Sequence, residues 1–540
     1  MSQMEYNLLD QSWIPCLGPG RQITCRSLRE TLARAPDILE IADPSPLVTV
    51  ALHRVLIAIL HRAHNGPATE DHWRGLWEHG GFDIAMLDRY LTPLHDRFDL
   101  FDPAHPFYQT AGIHEAHGRG MANLVHELAM GNNTTLFDHT NETRDIAFSP
   151  DRAARQLVAL QVFAVGGLVT YDDKAHKSAD AAPLAKGAVA LVKGENLFQT
   201  LLLNMLLYDP KSDLPFACSG PDLPAWERDD PVVPIDRRPA GYLDWLTWQS
   251  RRVHLFPVEG PDGAATIRKV AILKGYQLPG GAYRKDYETM VSFFQVLKPT
   301  AGQDPWPALG FREDRALWRD SLPLFHRFQE SSESHRGQWP PRTLAGLSHL
   351  LPDQEQGFPL DMYGLVTDKA SVLLWRQERL TVPLRYLSDE GLYSRLREGL
   401  EEARRTHQAL QAGMEALATM LLAPEADLAH GRQPDPEARK QLVEHLGAGR
   451  IYWSRLDGPF HTLVSNLPRD HKQRPDGVIE YGREQALPAW SDAVGGAAHA
   501  AIEEITRGMD DSARVLKAGT AAWRAYYGTL KKLNSGGIAR

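Results

Sequence analysis

The last third of the chain places its apolar residues at three- and four-residue steps, which would scatter them over both faces of a strand but align them on one face of a helix. Leu392, Leu396, Leu410, Met414, Leu417 and Leu421 mark one stripe, and Leu442, Leu446, Trp453, Leu456, Phe460 and Leu463 a second. Leu487, Trp490, Val494, Ile502 and Ile505 form a third, and Leu516, Trp523, Tyr526 and Leu530 a fourth. Asp435 and Pro436 supply an N-cap and a first-turn proline for the second helix. Four amphipathic helices joined by Pro- and Gly-containing turns predict a C-terminal four-helix bundle over residues 380–540.

The pattern before it is mixed. Short strands are expected at Tyr6 to Leu9, Trp13 to Pro15 and Ile23 to Cys25, with a helix from Ser27 and apolar helices at Leu47 to Ala63 and His72 to Trp77. Strand-like segments recur at Val253 to Val258 and Ala265 to Leu273, after a Pro- and Trp-rich connection over 209–245. The class is α+β: a large mixed N-terminal domain over residues 1–375, followed by the helical one. With 540 residues the chain is long enough for several cores.

Hydrophobic residues make up 43% and charged residues 24%, a globular composition. Cys16, Cys25 and Cys218 have no metal-ligand spacing, and an odd number argues against a disulfide framework. The opening MSQMEYNLLDQSWIP has no basic region followed by an apolar core, so a cytoplasmic chain is expected. His53 and Arg54 interrupt LVTVALHRVLIAILHRAH before it reaches the length of a membrane span, which predicts a buried helix and no membrane partner. The formal charge of -9 repels nucleic acid at long range, so any such binding must use local basic patches.

The stretch from Gly131 to Asn204 reads as a recognition platform, with two polar loops held apart by the apolar run RQLVALQVFAVGGL. In the first loop, Phe137 is either an anchor into the body or a stacking surface for a base. Asp138, His139 and Asp145 are candidate ligands for a divalent metal in phosphodiester cleavage, set among the uncharged Asn132, Asn133, Thr134, Thr135, Thr140 and Asn141. In the second loop, Lys174, Lys177, Lys186 and Lys193 flank the small residues Ser178, Ala179, Asp180, Ala181 and Ala182. Small side chains let backbone approach a ligand, and the lysines either pair with phosphates or line a solvated loop. Arg312, Arg315 and Arg319 pose a similar choice, since they either lie on the wet side of a helix or reach a nucleic-acid groove. His114-Glu115-Ala116-His117 spaces its histidines three apart, unlike the zinc-protease motif, and Gly118 and Gly120 place it in a loop. No phosphate-binding GxxxxGK[ST] or GxSxG signature is present.

Taken in order, NLLDQSWIP, DPAHPFYQT, TTLFDHTNE, VALQVFAVGGL, KGENLFQTLLLN, MYGLVTDKAS and the terminal helices resemble the CasA family, the large subunit of the type I-E CRISPR surveillance complex Cascade. The resemblance spans most of the chain and rests on collinearity. It implies a subunit without catalytic activity and without a cofactor. Such a subunit sits at the 5′ handle of the CRISPR guide RNA, contacts other Cascade subunits and recognises the protospacer-adjacent motif in double-stranded target DNA. It then starts strand opening and helps recruit the helicase-nuclease. By the same resemblance, Leu136, Phe137 and Asp138 lie at the base of the handle- and subunit-contacting loop. Residues 178–182 stand where the family has a glycine loop on the minor groove, Arg312 falls near a basic finger, and Asp368 and Lys369 fall near the tip of a duplex wedge. Here the glycine loop is replaced by SADAA, the finger is arginine, the wedge lacks its glutamine, and VEGPDGAATIR carries none of the clustered cysteines of some members. Two rival readings accompany this one: a metal-dependent nuclease using Asp138, His139 and Asp145, and a pure assembly scaffold.

Overall fold

The computed structural model describes residues 4–125, 146–260, 263–300, 302–326, 337–351, 357–368, 371–423, 430–431, 433–474, 479–510 and 512–535. Leu136, Phe137, Asp138, His139, Asp145 and Lys369, each assigned a role from sequence, lie outside these residues. The chain divides into two compact units, Met1–Leu380 and Thr381–Arg540. The boundary falls inside the strand Ser371–Val382, upstream of the point where the apolar period changes.

The core of the first unit is the helix Pro46–His64. Pro46 occupies its first turn, and Asn65 closes it in the left-handed region at φ 47°. It is apolar nearly all round, so it can only be stable when enclosed. Among the described residues it is the one helix long and apolar enough to cross a membrane, yet 89% of its apolar window is buried in the fold. His53 and Arg54 do not break it, because both are buried with partners: His53 Nδ1 lies 2.7 Å from Thr49 O, and Arg54 is paired with Glu288. The helix Pro150–Phe163 packs on it, with Leu157, Val158, Val162 and Phe163 all buried.

Small sheets surround this pair. Ile14–Leu17 sits between Ile23–Arg26 and Glu40–Ile41, antiparallel to both. Ser27 then caps the next helix in a reciprocal capping box with Glu30. Ala265–Lys274 lies between Arg251–Glu259 and Arg119–Gly120, with Leu255 opposite Val270 and a bulge at Phe256/Pro257, where proline cannot donate. Phe358–Asp368 is the middle strand of a third sheet, between Val189–Val192 and the edge strand Ser371–Val382. This long hairpin, its strands joined through residues 369–370, has no counterpart among the elements expected from sequence.

In the second unit the helix Glu390–Leu422 packs against Pro436–Leu446, Ala448–Asn466, Ala486–Arg507 and Ala513–Ser535. Two expectations need correction. The second stripe is two helices, because Gly447 adopts φ 65° and ends the first; Leu442 and Leu446 are only half-buried. In the last helix Leu516 is 63% exposed, and the buried face is Ala518, Ala522 and Tyr526. The reason is close backbone approach, since a Cβ on Gly413 would stand 3.1 Å from Ala522 O. Small residues rather than leucines make that contact.

Candidate nucleic-acid interface

Three segments distant in sequence meet in the first unit at glycines. A Cβ on Gly364 would lie 2.7 Å from Gly187 O, and one on Gly310 would lie 2.9 Å from Lys186 O. Any other residue at these positions would force the segments apart. They enclose an open cleft of about 910 Å³. One rim carries Asp180, Ala181 and Lys186, the second runs from Gly302 to Phe311, and the third is Leu365 and Thr367 on the long hairpin. Trp245, Trp248 and Tyr276 form the floor. Arg237 stiffens it by stacking 4.3 Å from the Trp248 ring centre and 3.8 Å from that of Tyr276, while holding Asp244 through two hydrogen bonds of 2.6 and 2.9 Å.

The segment 178–182 is held by its backbone. Ser178 and Ala179 form a two-residue strand against Gly167–Leu168. The buried Arg251 donates to Val165 O and Asp180 O, both at 2.9 Å, and Arg284 donates to Ala181 O at 2.5 Å. Gln277 accepts from Asp180 N through its side-chain oxygen. Burial pulls the Arg251 guanidinium down to about 10, which leaves it cationic at neutral pH, and lowers that of Arg284. Ala179 and Ala182 point inward, which leaves Ser178 and Asp180 exposed and Ala181 partly so. Lys174, Lys177 and Lys186 are exposed, and among the described residues no carboxylate pairs with any of them. Lys193 is different: it is buried, with Nζ 2.9 Å from Glu40.

Residues 312–315 of the arginine run form a tight turn, and Arg319 follows in the short 3-10 helix Leu317–Asp320. Arg312 and Arg315 bridge each other across the turn, and Arg315 is spent on Asp320 at 3.3 Å. Arg312 is exposed, with no carboxylate partner among the described residues. The turn hangs from the hairpin: Arg376 Nη1 donates to Arg312 O at 2.6 Å and to Arg315 O at 2.8 Å, and Glu378 accepts from Leu317 N at 2.8 Å. Sequence reasoning missed Arg376 and Glu378, because only strand pairing brings them to the turn. Asp368 is the last residue of the hairpin's first strand.

The histidine pair at 114–117 is not assembled as a metal site. His114 Nδ1 accepts from Ala116 N at 3.1 Å, and Glu115 pairs with Lys269 at 2.8 Å, which holds its carboxyl below the usual range. Among the described residues no group of three or more His, Cys, Asp or Glu is placed to hold a metal ion.

The fold as a whole matches solved structures of one class, the CRISPR-associated proteins. Residues 7–501 match the family model of CRISPR-associated protein Cse1, and the chain belongs to that family. It is 31% identical over 527 residues to a CasA/Cse1 protein of Thermus thermophilus, covering 95% of each chain. The crystal structure of Thermus thermophilus CasA matches with a TM-score of 0.76 at 28% identity, covering 98% of this chain and 100% of that one. Acidimicrobium ferrooxidans Cse1 matches at 0.77 and 23%, with 98% and 99% covered. A chain of a CRISPR RNA-guided surveillance complex shares the fold at 0.71 and 18% identity, with 97% and 100% covered.

Proposed function

We propose that this chain is the large subunit of a CRISPR RNA-guided Cascade complex and that it reads the protospacer-adjacent motif in duplex DNA without breaking bonds itself. It starts strand opening there, and it helps recruit the helicase-nuclease. Leu136, Phe137 and Asp138 are proposed to contact the guide's 5′ handle and neighbouring subunits, and the four long C-terminal helices are read as a bundle. The observation that supports this reading is one cleft lined by Asp180 and Ala181, by Phe311 next to the Arg312 turn, and by Leu365 and Thr367 on the hairpin read as the wedge. Ser178, Asp180 and Ala181 present short side chains and fixed backbone, which suits the minor groove, where A·T and G·C pairs are the main distinction available. Arg312 supplies the cation, Lys174, Lys177 and Lys186 contact phosphates, and Asp368 and Lys369 form the wedge tip. Opening one base step costs a few kcal/mol, which these contacts and guide pairing offset.

Arg312→Ala in the reconstituted complex is expected to weaken binding of motif-bearing duplex by about 1–3 kcal/mol and to flatten its salt dependence. Unchanged affinity at physiological salt would reject the role. Arg376→Ala should lose nearly as much, because its two donors fix the turn that aims Arg312. The double variant should then be hardly worse than Arg312→Ala alone, since both act through one contact. Fully additive losses in that cycle would show that Arg376 acts elsewhere.

A further inference from the structure

The hairpin has two faces with different chemistry. On the edge strand Ser371–Val382, alternate residues point to opposite sides. Arg376 and Glu378 are taken up by the 312–317 segment, so one side is occupied. The other side presents Leu373 at 37% exposure, Trp375 at 41%, then Gln377 and Arg379. The Trp375 side chain makes no ring contact or hydrogen bond with a described residue. A large exposed aromatic on a sheet edge invites association, and edge strands are ordinarily blunted against it.

The chemistry of this face selects its occupant. From Ser371 to Arg379 its outward side chains are hydroxyl, isobutyl, indole, amide and guanidinium, with no carboxylate among them. Arg379 is held by Asp361 at 2.6 Å, yet its side chain is 60% exposed while Asp361 is 1% exposed, so the cation faces solvent and the anion does not. An indole with a free N–H, an amide and an outward guanidinium suit a polyanion that carries planar rings. At about 3.3 Å per residue, Trp375 stands roughly 13 Å from the start of its strand, a span of about four stacked bases.

We propose that Trp375 is a stacking platform for one strand of DNA opened at the hairpin tip. Arg379 contacts the phosphate backbone of that strand. The inference rests on the wedge reading of the hairpin and adds to it where a separated strand goes: onto the face opposite the Arg312 turn. It commits to single-stranded DNA rather than to a protein partner, because an edge built for protein pairing would gain from an aliphatic row, not from an indole followed by amide and guanidinium.

The test uses the reconstituted guide-loaded complex with the wild-type chain, Trp375→Ala and Trp375→Phe. Binding is measured to a motif-bearing duplex, to the same duplex with a non-complementary opened stretch beside the motif, and to a duplex with the motif scrambled. A 2-aminopurine placed in each strand of the opened stretch reports stacking. Trp375→Ala is expected to weaken binding of the opened DNA about 5- to 100-fold, the range one base–aromatic stack supplies, and to release the 2-aminopurine quenching in one strand only. Trp375→Phe should recover most of both. If Trp375→Ala binds opened DNA like wild type while wild type still rejects the scrambled motif, the stacking role is wrong and the wedge reading stands. If wild type binds scrambled and intact motifs alike, both fail. Should Trp375→Ala drop out of the complex on size exclusion with its own melting unchanged, the face meets protein, and the proposal is overturned.

Discussion

Glu288→Ala is expected to destabilise the first unit by about 3–5 kcal/mol, the largest single-residue effect anticipated in this chain. The Glu288 side chain is fully buried and faces Arg54, which is 1% exposed. Its two oxygens accept from Arg54 Nη1 at 3.1 and 3.0 Å, from Trp245 Nε1 at 3.0 Å, from Thr289 N at 3.0 Å and from Met290 N at 2.9 Å. Arg54 also donates to Trp245 O at 3.1 Å. Truncation leaves a cation, an indole N–H and two amides without acceptors in a dry core, and that uncompensated desolvation sets the loss. Trp245 belongs to the cleft floor, so under the proposed function the damage should reach DNA binding as well. The check is chemical denaturation of the purified variant, with Arg54→Met/Glu288→Met beside it. Removing both charges should recover much of the loss, because an apolar replacement of a buried pair is often nearly neutral. A midpoint change under about 1 kcal/mol for Glu288→Ala would contradict this account.

Local signals in the chain were legible where the physics is local. Ser27 before a helix and Asp435 before a proline are caps that act within one turn, whereas the αL closure at Gly447 lay hidden inside a stripe that reads as one helix. The helix Pro46–His64 could be read from its apolar run for the same reason. The long hairpin was not legible. Its central strand is buried from Leu360 to Val366, so it shows no polar–apolar alternation, and the one acid inside it, Asp361, is matched by Arg379 on the paired strand. The cleft was hidden for a related cause. Gly187, Gly310 and Gly364 look like ordinary turn glycines, and only the tertiary approach of one segment to the next reveals why a side chain is excluded. The resemblance named the Arg312 and 368–369 positions; it did not supply Arg376, which ties the Arg312 turn to the hairpin.

Acid should unfold this protein earlier than its carboxylates alone would require. His53, His61 and His64 all lie on the helix Pro46–His64, and burial pulls them down to about 3, about 4 and about 4 from 6.5. The geometry agrees. His53 Nε2, His61 Nε2 and both His64 ring nitrogens are buried without a hydrogen-bond partner among the described residues, so the N–H gained on protonation finds no acceptor. In the unfolded chain each imidazole titrates normally. Between pH 6.5 and about 4 the unfolded state therefore binds more protons, and stability falls as pH falls. Each group forfeits about 1.4 kcal/mol per pH unit below 6.5, or roughly 2 kcal/mol by pH 5. Asp43 and Asp222, whose carboxyls burial raises, work in the opposite direction and offset part of this. Denaturation midpoints at about pH 7.5, 6.5, 5.5 and 5 should thus hold level at first and then drop steeply, by several kcal/mol in all. His64→Phe isolates the cause: its ring packs 6.3 Å from Phe82, so phenylalanine keeps the contact and removes the titration. That variant should match wild type near pH 7.5 and lose about a third less stability on going to pH 5. Flat midpoints across this range in the wild-type chain would mean that the three rings accept protons in place, against the burial that surrounds them.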